Sequence, residues 1–142
     1  VATINKTLKS YVFAIVGDGE TNEGSVWESI MSAPNLETNN LTMIIDKNNY
    51  QQTGQTDKIM KNENFTNKLE AFGWDTFEID GHNHKEIENI LRKKTNKPKA
   101  IVANTIKGKG FSFSENNNEW HHSILSKKIY DDAIKELELN DN

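Results

Sequence analysis

Short apolar runs alternate along this chain with segments whose apolar residues recur at helical spacing, and that alternation narrows the fold more than any other feature. Residues 11–16, Tyr-Val-Phe-Ala-Ile-Val, form the first run, closed by Gly17. A run without polar alternation predicts a strand covered on both faces and central in a parallel sheet. Val26, Trp27, Ile30 and Met31 follow at helical spacing, and Pro34 disfavours a helix beyond it. Residues 41–46 are the second run, after which Phe65, Leu69 and Phe72 mark one face of a short helix closed by Gly73. Residues 74–79 read as a strand, Asn83 as the cap of a helix carrying Ile87, Ile90 and Leu91, residues 99–105 as a strand, and 126–139 as a last helix.

Such an order predicts an α/β fold: an open parallel sheet with helices on both faces, joined by right-handed crossovers. With 142 residues and no long Pro, Gly or Ser linker, residues 1–142 are expected to form a single domain. Val1 stands where Met would begin a chain, so a preceding segment is expected.

A formal net charge of -4 and a pI near 5.6 argue against a nucleic-acid partner, which calls for a basic face. The basic cluster Arg92, Lys93, Lys94, Lys97 and Lys99 lies near a predicted helix end, where cations complement the macrodipole. Without cysteine, any metal must take oxygen or nitrogen ligands, and a cytoplasmic setting is expected. No apolar run approaches the ~20 residues that span a bilayer, so no membrane partner is expected.

In an open parallel sheet, ligands bind beyond the carboxyl ends of strands, which directs attention to residues 17–22, 47–54 and 106–122. The first of these loops opens with Gly17-Asp18-Gly19-Glu20, where glycines permit close approach and Asp18 points into the crevice. Asp46-Lys47-Asn48-Asn49-Tyr50 ends the next strand, with Asn48 thirty positions after Asp18. One carboxylate, one amide oxygen and one backbone carbonyl suit magnesium shared with a diphosphate, and Asn in place of a second Asp spares the diphosphate an extra negative charge. The N-terminus of the helix after Glu20 adds positive potential. Lys107, in a Gly-rich loop with Gly108 and Gly110, can reach phosphate as a point charge, whereas Lys109 reads as a solvated loop lysine. His121 can give or take a proton near neutral pH. Zinc on the adjacent pair His121-His122 is disfavoured, because neighbouring residues rarely converge on one ion. His82 and His84 read as turn and capping residues, and Glu23 as a partner of the helix dipole.

Gly17-Asp18-Gly19 followed by Asn48-Asn49 resembles the thiamine-diphosphate motif. Glu23-Gly24, Trp27-Glu28, Asp46-Lys47-Asn48, Gln51, Gly54, Ala71-Phe72-Gly73-Trp74, Asp80-Gly81-His82, residues 105–110 (Thr-Ile-Lys-Gly-Lys-Gly) and Trp120-His121 further resemble the small, N-terminal subunit of split transketolases. The likeness runs from about Gly17 to the C-terminus. It implies a thiamine-diphosphate-binding fold lacking its N-terminal portion, with Mg2+ held by Asp18, Asn48 and the Tyr50 carbonyl. Gly17, Gly19, Glu20 and neighbouring backbone would face the diphosphate, Lys107 would contact it, and His121 would lie beside cofactor phosphate and substrate as the catalytic residue. His122 falls where the family usually has Gly. So does Asn49, and a slip of one position would move the metal ligands to Asn49 and Gln51. Glu23 and Glu28 would lie toward an interface between active sites.

The implied activity is transfer of a two-carbon ketol unit from a ketose phosphate to an aldose phosphate. It requires a pyrimidine-binding, C-terminal transketolase subunit that supplies the activating glutamate, in a dimer of heterodimers. Residues 105–110 also resemble 1-deoxyxylulose-5-phosphate synthases, which use pyruvate, and a non-catalytic regulatory or assembly subunit would retain the same fold.

Overall fold

A computed structural model describes residues 10–140. Val1, which prompted the expectation of a preceding segment, lies outside them. Four parallel strands, β1 (Val12–Gly17), β2 (Leu41–Lys47), β5 (Asp75–Asp80) and β6 (Lys99–Asn104), form one sheet in the order β1-β2-β6-β5. Gly17 lies opposite Asp46, and Asp46 opposite Ala103, so β1, β2 and β6 end level with one another. That register brings all three loops singled out in the sequence to one edge of the sheet. A small antiparallel ribbon, β3 (Tyr50–Gln51) and β4 (Gly54–Gln55), follows β2.

Among the described residues five α-helices accompany the strands: α1 (Gly24–Asn35), α2 (Thr56–Ile59), α3 (Phe65–Ala71), α4 (His84–Arg92) and α5 (Lys127–Asn140). Ile30 and Ala33 of α1 and Phe65 and Leu69 of α3 pack with Met43, Ile45, Trp74, Ala100 and Val102 on one sheet face. Burying apolar side chains such as these contributes about 1.5–3 kcal/mol apiece. The opposite face carries α4, whose C-terminal carbonyls are bonded by the Lys99 ammonium: Ile90 O at 2.9 Å, Leu91 O at 3.2 Å and also Lys93 O. Lys99 is therefore a buried strand residue that closes a helix, and burial holds its pKa below the usual lysine range.

Local chemistry explains the helix boundaries. Pro34 ends α1 only one residue later, at Asn35, because a proline in the last turn forfeits a single helical bond. The carbonyl it leaves unmatched, that of Ile30, accepts the Trp74 indole N–H at 2.8 Å. Asn83 caps α4 as expected, its side chain accepting from Lys85 N and Glu86 N.

Where the run of residues 11–16 predicts a central strand covered on both faces, β1 lies at an edge of the described sheet. It pairs only with β2, and Phe13 and Ile15 are 55% and 71% exposed. Continuous apolarity marks two apolar faces, but it does not encode which neighbours cover them, and α4 crosses that side over β5 and β6.

Candidate functional site

Asp18 emerges directly from β1 and is 3% exposed. Gly19 N donates to its Oδ1 at 2.9 Å, while Asn49 N at 2.9 Å and the Thr56 hydroxyl at 3.2 Å donate to Oδ2. All these partners are neutral, so the carboxylate sits among the described residues without a formal counter-charge. Burial raises its pKa, the three hydrogen bonds oppose the rise, and the nearby Asp46 charge adds to it. Gly19 permits this packing, since a Cβ there would lie 2.5 Å from Gln51 Cβ.

At the end of β2, Asn48 is held from both sides. Its Nδ2 donates to Asp46 Oδ2 at 3.1 Å, and its Oδ1 accepts Tyr50 N at 2.9 Å, which fixes the amide orientation and leaves an oxygen lone pair. Asp46 also accepts from the Thr105 hydroxyl, tying the end of β2 to the loop after β6. Asn49 has φ 64, a left-handed conformation that Asn tolerates better than most side chains. Asn48 and Tyr50 line one cleft, of about 450 Å³, with Gly17, Gly19, Glu20, Glu23, Gln51 and His121. Asn49 instead borders a neighbouring hollow, together with Asp18, Thr56 and Asn62.

The third loop brings in Lys107, whose Nζ lies 3.4 Å from His121 Nδ1. A charged lysine can only donate, so Nδ1 accepts and the proton of the neutral ring resides on Nε2. Local shielding, then the Lys107 charge, then His122 lower the His121 pKa from 6.5. An NMR titration of His121 is expected to show a midpoint below that value, and Lys107→Met should raise it. A midpoint at or above 6.5 in the unaltered protein would contradict the contact. Gly108, at φ +70, turns the loop, and the Ser114 hydroxyl closes it onto Gly108 O at 2.9 Å. Phe111 packs tilted against Phe113 and Phe113 edge-on against Trp120, at centroid distances of 5.6 and 4.8 Å, a half-buried aromatic cluster within the loop.

Six of the eight site candidates, Gly17, Gly19, Glu20, Asn48, Tyr50 and His121, therefore share one cleft; Asp18 is hydrogen-bonded to Gly19 of that cleft but itself borders the neighbouring hollow, and Lys107 adjoins through His121. Glu20 differs from expectation in detail. It opens a three-residue 3-10 turn, Glu20–Asn22, because Glu23 is extended and α1 begins only at Gly24. The Glu20 carboxylate accepts Gly17 N at 2.6 Å. Glu28 is exposed on α1, Lys109 pairs with Glu115 at 3.8 Å, and His122 packs edge-on against His121. His82 accepts Ile106 N at 2.8 Å and so steadies the start of the third loop, whereas His84 is the first residue of α4. The parts played by Thr56, by Thr105 and by Asp46 as an orienting group do not follow from the sequence pattern. Only Asp46, two residues before Asn48, offered any signal.

A hard divalent cation fits these donors. Asp18 supplies a buried charge in need of compensation, Asn48 an amide oxygen fixed by Asp46, and Tyr50 a carbonyl on the adjoining turn. Among the described residues no group of three His, Cys, Asp or Glu side chains surrounds a metal position, so such a site must draw on amide and carbonyl oxygens.

Comparison with known proteins identifies the family and the fold. Residues 3–141 match the family described as "Transketolase, thiamine diphosphate binding domain". The chain is 36% identical over 132 residues to one subunit of the apulose-4-phosphate transketolase of Phocaeicola vulgatus, covering 91% of this chain and 46% of that protein. It is 39% identical over 134 residues to the 6-deoxy-6-sulfo-D-fructose transketolase subunit SqwG of Clostridium sp., covering 92% and 49%. It thus spans about half the length of these relatives. The fold superimposes on transketolase from Campylobacter jejuni with a TM-score of 0.85 at 28% identity, over 94% of this chain and 22% of that one.

Proposed function

The chain belongs to the transketolase family, in its thiamine diphosphate binding domain, and from that premise we propose that it forms the metal- and diphosphate-binding half of a transketolase active site. The observation that carries this reading is the buried, uncompensated Asp18 carboxylate, bonded to the backbone N–H of Asn49, next in the chain to an Asn48 amide held in one orientation. Asp18, Asn48 and the Tyr50 carbonyl would hold Mg2+. Gly17, Gly19 and Glu20 line the diphosphate side. Lys107 neutralises phosphate charge, and local shielding together with the Lys107 charge lowers the His121 pKa, favouring the neutral ring that can exchange a proton with a sugar hydroxyl or carbonyl. Thiamine diphosphate, when bound, supplies the chemistry that breaks and forms a carbon–carbon bond next to a carbonyl.

The substrates in this reading are a ketose phosphate donor and an aldose phosphate acceptor, between which a two-carbon ketol unit moves, in the manner of pentose phosphate metabolism. Both relatives are themselves named as single subunits of a transketolase, which supports a second, pyrimidine-binding subunit here, and we place the two in a dimer of heterodimers. Residues 1–142 would act as one domain within that assembly. A cytoplasmic setting accords with the lack of cysteine, and among the described residues no helix is long and apolar enough to cross a membrane. The test is a donor assay on the full protein reconstituted with its pyrimidine-binding partner. Ketose phosphate plus aldose phosphate should yield a sugar phosphate two carbons longer than the acceptor. Carbon dioxide release from pyruvate, with no turnover of ketose phosphate, would replace this reading with a deoxyxylulose-phosphate-synthase-like reaction.

A further inference from the structure

The side chain of Tyr50 makes a contact distinct from anything its backbone carbonyl does. Its hydroxyl donates to the carbonyl of Asn116, 66 positions away, at 2.7 Å. Asn116 N donates in turn to Lys107 O at 3.0 Å, so the residue gripped by Tyr50 is itself bonded to the backbone of Lys107. Asn116 has φ 53, a left-handed conformation uncommon for a residue other than glycine, and it is bonded at both its N–H and its carbonyl. Close by, Asn118 Nδ2 donates to Gln52 O at 3.2 Å, a second link between the same two segments. On its outer side the loop is fastened by Ser112, whose N–H and hydroxyl both donate to Glu136 of α5. One side of the cleft therefore bears Asn48 and Tyr50, the other bears Lys107 and His121, and the tyrosine hydroxyl bridges them.

We propose that Tyr50 is a positioning residue whose hydroxyl clasps the Lys107–His121 loop to the Asn48 ribbon, so that the metal side and the phosphate side of the cleft are set as one unit. Geometry alone carries the clasp; the nature of what the two sides grip rests on the function proposed above. The physical consequence is preorganisation. A loop already held at the right separation loses less conformational freedom when an anion bridges Lys107 and a metal-side ligand. Tyr50→Phe removes the hydroxyl and leaves the ring and the backbone carbonyl in place.

Hydrogen exchange on the full-length protein, without cofactor, tests the clasp directly. In Tyr50→Phe the amides of residues 107–118 should exchange about fivefold faster, the effect of losing one net hydrogen bond, while those of β2 and β6 are unchanged. Asn118→Ala in the same background should speed them further. Calorimetry with magnesium and thiamine diphosphate should then show Tyr50→Phe weakening binding about fivefold. The same change made in a Lys107→Ala background should weaken binding much less, because Lys107 is what the clasp positions. Unchanged exchange at residues 107–118, an equal acceleration throughout the chain, or an affinity loss undiminished by Lys107→Ala would each overturn the proposal. If the unaltered protein binds no thiamine diphosphate while the loop loosens as expected, the clasp stands and the proposed function fails.

Discussion

Asp18→Asn is expected to weaken binding of magnesium and thiamine diphosphate by about 100-fold or more while leaving the fold intact. Outer partners of metal ligands typically contribute about 10–100-fold to affinity, and a residue in direct contact should contribute at least as much. Two opposing effects keep the stability change small. The amide group of Asn must face one of the donors that Asp18 now satisfies, Gly19 N or the Asn49 N and Thr56 hydroxyl pair, which costs about 1–3 kcal/mol. Against that, the substitution removes a buried carboxylate whose ionisation the folded protein resists. Because the folded-state pKa lies above the unfolded value, the metal-free folded chain binds more protons, and Asp18 makes stability fall as pH rises through the upper carboxylate range. Thermal denaturation of the metal-free protein across that range should show a shallower decline in Asp18→Asn than in the unaltered chain. An identical decline in both would contradict the assigned burial, independently of any ligand measurement.

The second large effect is expected at Gly108. A left-handed residue there costs alanine about 1–2 kcal/mol, and the added Cβ would also come within 2.6 Å of the Ser114 carbonyl carbon, which is backbone and cannot rotate away. Relief requires the whole loop to open, taking Lys107 away from His121. Gly108→Ala should therefore lower affinity for thiamine diphosphate by about tenfold or more and move the His121 titration midpoint toward its ordinary value, with β6 still protected from exchange. Gly110 provides the internal comparison. It also has positive φ, at 102°, yet nothing lies within 4 Å of a Cβ built there, so Gly110→Ala should carry only the conformational cost. Equal effects at the two glycines would show that close packing against Ser114 has no consequence for the site.

Much of the architecture was legible because it depends on local periodicity. Each predicted strand lies within one residue of its observed bounds, and Asn83 caps α4 through the bonds its side chain was expected to make. The meeting of the three candidate loops was legible too, since strand-end loops can meet only where parallel strands end level, as Gly17, Asp46 and Ala103 do. Contacts that depend on distant segments were not. Nothing around Thr56 announces that its hydroxyl will meet Asp18 38 positions away, and the ribbon of β3 and β4 is too short to leave a period. The edge position of β1 was misread because an apolar run records how a strand is faced and not how it is flanked. Asn49 illustrates the reverse case. Its departure from the glycine usual in split transketolases left the ligand register open; its φ of 64 shows an asparagine occupying a glycine-like conformation, with Asn48 facing the cleft and Asn49 the hollow that Asp18 borders.

The central claim, that Asp18 and Asn48 hold a metal against a diphosphate, is tested most directly by replacing magnesium with Mn2+ in the full protein and recording pulsed electron paramagnetic resonance with thiamine diphosphate present. Bound Mn2+ should show hyperfine coupling to 31P in the unaltered protein, and that protein-bound signal should disappear in both Asp18→Asn and Asn48→Ala. The same coupling and the same Mn2+ affinity in both variants would place the metal elsewhere and contradict the account.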